Sequence, residues 1–262
     1  MWDATEYLRF AGHRGRPFLD LVARVPAEAP ASIVDLGCGP GNMTVTLAER
    51  WPEASVEGVD SSAEMIERAR TDHGAAADGR VRFTRADLRD WSPTDPVDLL
   101  MSNATFQWVP GHLELLAQLV AGVRPGGWFA FQVPGNFGEP SHTELAAVCE
   151  QPRWRERFAG AELARPWVAE PIEYLERLTA LGAEVDVWET TYLHVLQGED
   201  AVLRWISGTG LRPVLDVLDE QEQAQFTADY GARLRAAYPQ QGFGTVLPYR
   251  RIFAVAQVGG VA

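Results

Sequence analysis

Asp35-Leu36-Gly37-Cys38-Gly39-Pro40-Gly41-Asn42 is the stretch on which the fold turns. The residues leading into it, Ala31–Gly37 (ASIVDLG), form a short apolar run with β-branched members that suits a buried parallel strand. A helix is predicted to follow from Asn42 to Trp51. Met43, Leu47 and Ala48 share one of its faces, Asn42 is its expected N-cap and Pro52 helps to stop it. A glycine loop joining strand to helix lies where open α/β sheets bind ligands, at the carboxyl ends of their strands. Glycine lets the backbone turn sharply and approach a ligand that a Cβ would hold away. The spacing then discriminates between ligands. A dinucleotide fingerprint counted from Gly37 would put its third glycine at position 42, which is Asn42; the third glycine comes one residue early, at Gly41. Pro40 also removes a backbone donor that a pyrophosphate could use. The loop is therefore poorly suited to NAD or FAD, and an NAD(P)-dependent oxidoreductase is disfavoured.

Outward from the loop, strands and helices alternate. Ser55–Asp60 (SVEGVD) reads as a second strand, with Ser61 and Ser62 as caps for a helix Ala63–Arg70. Val81–Asp87 and Val97–Asn103 are the third and fourth strands. A helix His112–Ala121 ends near Gly122, and Pro125-Gly126-Gly127 turns the chain into a fifth strand, Trp128–Val133. Five strands with intervening helices call for an open, mostly parallel sheet. The pattern changes at Pro134–Val168, rich in Pro, Gly, Trp and charge with one predicted helix at Ser141–Glu150, which reads as an insertion or lid. Beyond it come a helix Ile172–Leu181, a long strand Glu184–Leu196, helices at Glu199–Ser207, Pro213–Leu218 and Glu220–Tyr238, and a closing strand Tyr249–Val258.

Composition narrows the chemistry. All 23 cationic side chains are arginine; against 36 Asp and Glu the net charge is −13. With no lysine there is no Schiff-base or pyridoxal-phosphate lysine, no Walker-type phosphate lysine, no kinase ion-pair lysine and no Ser–Lys nucleophile. The acidity opposes general binding to nucleic acid or an anionic membrane. Two cysteines, Cys38 and Cys149, without a CxxC pair or a histidine cluster, give no disulfide framework or structural zinc site. The N-terminus lacks the basic start and apolar run of a signal peptide, and no apolar stretch reaches the roughly 20 residues that cross a bilayer. A soluble cytoplasmic protein is expected, with a monomer favoured.

The loop resembles the Asp-x-Gly-x-Gly-x-Gly motif of S-adenosylmethionine-dependent methyltransferases of the Rossmann-like class. That resemblance implies an α/β class I methyltransferase fold: a seven-stranded, mostly parallel sheet with one antiparallel strand, a helical lid or insertion and an N-terminal helical segment. It implies Asp35, Gly37, Gly39 and Gly41 as the cofactor loop. Asp60 and Ser61 fall at the strand end where the ribose hydroxyls are held, and a carboxylate can accept from both hydroxyls of a cis-diol. Asp87 falls where the adenine amino group is met, with Leu88 against the ring, and Asn103 where the methionine half runs. Any one such residue is commonly a cap or a solvated strand end; their succession at four strand ends is what makes the pattern specific. One domain over residues 1–262 is expected, with a helical cap at 1–30, the cofactor core at 31–133, the insertion and a connecting helix at 134–183, and strands with substrate-side helices at 184–262.

For the methyl acceptor, Trp2-Asp3…Tyr7-Leu8-Arg9-Phe10…Arg14-Gly15-Arg16-Pro17, Ser102–Trp108, Trp188–His194, Trp205–Pro213 and Arg251-Ile252-Phe253 are similar to bacterial trans-aconitate methyltransferases. This implies methylation of one carboxylate of a tricarboxylate, with no metal and no general base. Arg14, Arg212 and Arg251 would clamp carboxylates, His194 and Tyr192 would assist, Trp108 and Trp205 would be apolar walls, and Tyr7 with Phe10 would close over the cofactor. Ser-Asn-Ala-x-x-Gln-Trp also resembles malonyl-carrier-protein methyltransferases, which leaves another small-molecule carboxylate or a carrier-protein-bound one as the alternative acceptor.

Overall fold

A computed structural model of the chain describes residues 11–159, 167–208 and 210–259. In chain order the elements are α1 (Ala11–Arg24), β1 (Ser32–Leu36), α2 (Thr44–Arg50), β2 (Ser55–Asp60), α3 (Ala63–His73), β3 (Val81–Arg85), β4 (Val97–Asn103), α4 (His112–Ala121), β5 (Val123–Pro134), α5 (Pro140–Cys149), α6 (Pro152–Arg155), α7 (Pro171–Ala180), β6 (Glu184–Leu196), α8 (Ala201–Ser207), α9 (Arg212–Leu215), α10 (Glu220–Ala237) and β7 (Thr245–Gln257). The strands make one seven-stranded sheet, β3-β2-β1-β4-β5-β7-β6. β1 pairs in parallel with β2 and β4, β2 with β3, and β4 with β5. β7 runs the other way: the Gly126 N–H bonds the Val258 carbonyl, whereas the Gly135 N–H bonds the Arg250 carbonyl. This is the mostly parallel sheet with one antiparallel strand that the methyltransferase resemblance implies.

The chain divides into two compact units. The sheet unit takes residues 15–134, 168–189 and 252–262. β1 is buried along nearly its whole length because helices cover parallel strands on both faces, which is why it reads as an unbroken apolar run. Its core combines Val34, Leu36, Leu100, Phe129 and Phe131 with Leu113 and Leu116 of α4. Phe106, on a short 3-10 turn (Phe106–Trp108), meets Phe131 edge-on at 5.2 Å between ring centres. The helical unit takes residues 1–14, 135–167 and 190–251. Its core gathers Trp154, Trp205, Phe226, Tyr230 and Leu234, with Trp154 and Phe226 at 5.2 Å. α10 opens with a capping box, in which Asp219 takes the Glu222 N–H and Glu222 takes the Asp219 N–H. Among the described residues no helix is long and apolar enough to cross a membrane.

Several local expectations are corrected. Asn42 is not an N-cap; α2 starts two residues later with Met43 in that position, because the Thr44 hydroxyl reaches back to Asp35. Ser62, and not Ser61, caps α3, accepting from the Met65 N–H. β3 stops at Arg85, so Asp87 lies in the loop beyond the strand rather than ending it. β5 begins at Val123, taking the Pro-Gly-Gly turn into the strand with a register shift. β7 begins at Thr245. The four-residue α6, carrying the buried Trp154, is too short to show a period in sequence.

The position of the glycine loop depends on close approach. A Cβ built on Gly37, at φ +76°, would overlap the Thr105 side chain at its Oγ1. Both the left-handed backbone and the overlap penalise a side chain there. Gly37→Ala is expected to cost roughly 3 kcal/mol and to lower the melting temperature by about 6–12 °C. Calorimetry on the variant checks this, and an unchanged transition would contradict the packing described.

Candidate active site

In the sheet order, β1 stands between β2 and β4, and the connections reverse direction there; a crevice opens at such a switch point. The loop leaving β1 is held over it by three backbone N–H groups. Gly37 and Cys38 donate to the Val59 carbonyl at 2.7 and 3.1 Å, and Gly39 donates to Asp60 Oδ2 at 2.9 Å. Asp60 Oδ1 takes the Ser62 N–H at 2.8 Å. These bonds occupy two of the roughly four acceptor positions of a carboxylate, so Asp60, half-buried at the end of β2, can still accept from a diol. Each glycine has its own reason. Gly37 yields to Thr105, and a Cβ on Gly41 would stand 2.6 Å from the Phe83 ring. A Cβ on Gly39 would meet nothing within 4 Å among the described residues, so on that side a ligand can lie against bare backbone.

Asp35 lies under the loop rather than at its surface. It is 2% exposed, and its Oδ2 takes the Thr44 hydroxyl proton at 2.7 Å. Burial pushes its pKa up to about 6, against the Thr44 hydrogen bond, and the Asp60 charge adds to the rise. Burial likewise pushes the Cys38 thiol well above its ordinary range, so this cysteine is held as a neutral thiol. Asp87 is engaged by Arg89 through the backbone N–H (2.9 Å), Nε (3.0 Å) and Nη2 (2.6 Å), and its carboxyl is held down at about 2 by that side chain. Leu88 beside it is buried, and Ser61 is exposed. Asn103 Oδ1 accepts from Gln132 Nε2 at 2.6 Å across the β4–β5 register. Ala104 follows with φ +53°, a left-handed turn for a non-glycine residue. Asp35, the three glycines, Asp60 and Asn103 thus cluster around one strand-end crevice. Thr44, Thr105 and Gln132 work beside them through Asp35, Leu36 and Asn103 in turn, contacts that no sequence motif marks.

The helical unit holds the second group. His194 stacks on Trp205 at 5.0 Å and lies 5.7 Å from Tyr249, whose ring carries the Arg251 guanidinium at 4.5 Å; Tyr192 lies 6.2 Å from His194. Tyr192, His194, Trp205 and Arg251 are all buried. Arg212 lies at the start of α9, with its side chain 43% exposed and 3.8 Å from Asp216. Trp108, in the sheet unit, is partly exposed. Tyr7 lies outside the described residues; Arg14 has its place in α1, but its side chain lies outside them. Among the described residues no cluster of His, Cys, Asp and Glu could hold a metal ion.

Fold and loop together define a class I S-adenosylmethionine-dependent methyltransferase. The methyltransferase-domain family matches residues 33–127. The fold is similar to that of a Haemonchus contortus phosphoethanolamine N-methyltransferase in complex with S-adenosyl-L-methionine: TM-score 0.56, 15% identity, covering 92% of this chain and 52% of that one. It is also similar to geranyl diphosphate C-methyltransferase from Streptomyces coelicolor, with TM-score 0.53, 16% identity and coverage of 93% and 79%. In sequence the chain is 54% identical to the trans-aconitate 2-methyltransferase of Streptomyces coelicolor over 98% of this chain and 86% of the relative. It is 48% identical to that of Rhodococcus jostii, over 98% of this chain and the whole of the relative. The chain belongs to the trans-aconitate 2-methyltransferase family.

Asp35 supplies a test of the loop's electrostatics. A native pKa raised above the ordinary value means that the folded state binds the proton more tightly than the unfolded one. Its contribution is therefore full below about pH 4 and is lost as pH rises through about 6. Two units correspond to roughly 3 kcal/mol. Asp35→Asn is expected to flatten this term, so that wild type gains about that much relative to the variant on acidification from pH 7 to pH 4. Denaturant midpoints across that range measure the difference, and parallel pH profiles would refute it.

Proposed function

We propose that this chain transfers the methyl group of S-adenosylmethionine to one carboxylate of trans-aconitate, giving a monomethyl ester and S-adenosylhomocysteine. The observation that carries this reading is 54% identity along 98% of the chain to a relative of that name. The buried group around Arg251 supports it. In this reading Gly37, Gly39 and Gly41 hold the cofactor against backbone, Asp60 and Ser61 meet its ribose, Asp87 and Leu88 its adenine, and Asn103 its methionine end. When bound, the cofactor supplies an electrophilic methyl on a sulfonium.

What the chain's own residues must do follows from the acceptor. A carboxylic acid with a pKa near 4 is ionised at neutral pH, so no side chain has to remove a proton. Donor and acceptor carry opposite charge and lose it as the bond forms, so excluding water favours the transition state over the separated ions. What remains is aim: one carboxylate oxygen in line with the methyl, and the others held. Arginine does this by paired, directional N–H bonds. Arg251 is the strongest candidate because it is buried and braced on Tyr249. Arg212 and Arg14 would hold outer carboxylates, with Tyr192 and His194 assisting, Trp108 and Trp205 as apolar walls, and the segment of Tyr7 and Phe10 closing over the cofactor. The same reading makes the protein a cytoplasmic monomer acting on a free small acid, without nucleic-acid or membrane partners. The net charge of −13 supports the absence of a polyanionic partner.

Arg251→Ala is expected to lower kcat/KM for trans-aconitate by about 100-fold or more, and Arg251→Lys to recover little of it, since an ammonium lacks the planar fork. Between pH 6 and 9 the wild-type rate should show no limb owed to a side-chain base. Steady-state kinetics with product identification test both points. Esterification of a malonyl carrier protein in place of free trans-aconitate would overturn the assignment of substrate.

A further inference from the structure

The turn from Gly135 to His142 links the two arginine-bearing stretches of the helical unit. At one end the Gly135 N–H bonds the Arg250 carbonyl at 2.9 Å, and Arg250 Nη1 returns to the Gly135 carbonyl at 3.4 Å; Tyr249 and Arg251 flank that residue. At the other end His142 Cε1 would lie 3.9 Å from a Cβ on Gly210, two residues before Arg212. Between them sits Asn136, 1% exposed. Its Nδ2 faces His142 Nε2 at 3.3 Å, and its Oδ1 has no hydrogen-bond partner among the described residues. Ser141, fully buried, also has a hydroxyl without a partner among the described residues, although its backbone is pinned: its N–H donates to the Tyr238 hydroxyl and its carbonyl takes the Tyr230 hydroxyl.

Leaving a buried amide half-satisfied is costly, and native proteins rarely do so without a use for the group. His142 cannot satisfy both ends of the carboxamide. Burial lowers its pKa to about 4, so the ring is neutral, with one donor and one acceptor. The Phe137 ring, edge-on at 5.0 Å, fixes its orientation. The pair is also reversible. Turning the amide over and moving the ring proton from Nδ1 to Nε2 preserves the hydrogen bond, and it puts the NH2 group where the unmet oxygen stands.

We propose that Asn136, oriented by His142, is a substrate-positioning residue whose buried carboxamide reads one carboxylate of the acceptor between the Tyr249–Arg251 and Gly210–Arg212 stretches. An anion selects the orientation that presents NH2. The Ser141 hydroxyl is a second donor on the same turn. A neutral amide adds direction without adding charge, so it distinguishes a carboxylate of the right placement from anions that merely fit the field of the arginines. The inference rests on the polycarboxylate reading above for the identity of the ligand.

Removal of single arms gives the test. Itaconate, glutaconate and mesaconate each lack a different carboxylate of trans-aconitate. Calorimetric titration of the four acids, in the presence of S-adenosylhomocysteine, would compare wild type with Asn136→Ala and the nearly isosteric Asn136→Asp. Asn136→Ala is expected to weaken trans-aconitate by about 10- to 100-fold, and Asn136→Asp by more, because it sets a carboxylate against a carboxylate. The loss should vanish for one of the three dicarboxylates, the one lacking the arm that Asn136 reads, while affinity for S-adenosylhomocysteine stays unchanged. Binding of trans-aconitate within twofold of wild type by both variants, or an equal loss for all four acids, would overturn the proposal. If wild type binds trans-aconitate without methylating it, the proposed reaction fails and the role of Asn136 stands. If wild type binds none of the acids, both fail.

Discussion

The contact between Gly37 and Thr105 is the constraint from which the rest of the sheet unit's site follows. A residue leaving β1 and one leaving β4 approach so closely that no side chain fits at position 37. The glycine frees the Gly37 and Cys38 N–H groups to turn back onto Val59, and that turn brings the Gly39 N–H onto Asp60. Asp60 is thereby fixed at the end of β2 by the loop it serves, and its remaining lone pairs have a defined direction. The Thr105 hydroxyl lies 3.3 Å from the Leu36 carbonyl and 3.2 Å from that of Asn103, so one side chain ties both strand ends. Ser102 adds a bond from its hydroxyl to the same Leu36 carbonyl at 3.0 Å. The crevice is held open by hydrogen bonds that would be weaker in water than in this partly buried setting.

What sequence could deliver follows the range over which each cause acts. The glycine loop, the order of strands and the acids at their ends are written locally, in short apolar runs and in residues a few positions apart. That is why β4, α4 and β6 carry the predicted boundaries and why the sheet has the predicted form. The errors fall where a particular side-chain contact decides, whether its partner is near in the chain or far. Asn42 has the chemistry of a cap, yet Thr44 reaches Asp35 and starts the helix later. Asp87 has the look of a strand end, yet Arg89 folds it into a loop. Gln132 and Asn136 occupy an apolar strand and a turn with no motif around them. Their roles exist only once β5 has brought Gln132 opposite Asn103 and Asn136 one residue beyond the pairing with Arg250.

Electrostatics sets the problem that any site for an anionic acceptor has to solve. A protein of net charge −13 repels a polyanionic acid at long range, so an anion can be held only where local cations outweigh the field. Beyond roughly 8 Å at physiological ionic strength the repulsion is screened, and it is the first contact shell that decides. The all-arginine set suits that task, and the absent lysines cost a carboxylate methyltransferase nothing, since it needs neither an amine nucleophile nor a phosphate-binding ammonium.

Burying such a cation is expensive, and the way it is braced determines what it can still do. A guanidinium paired with a carboxylate within the protein would spend its in-plane donors on that partner. Stacking on an aromatic ring uses the face instead, contributing about 0.5–2 kcal/mol without occupying those donors. Arg251 lies over the face of Tyr249, and Tyr249 in turn lies against His194 and Trp205. Tyr249, which the sequence did not single out, is the ring that takes one face of this cation. Replacing Tyr249 by leucine would keep the volume roughly and lose the quadrupole, so its effect should fall on the acceptor's KM and leave cofactor affinity untouched. An aromatic that merely filled space would show neither preference, and that difference separates a wall from a brace.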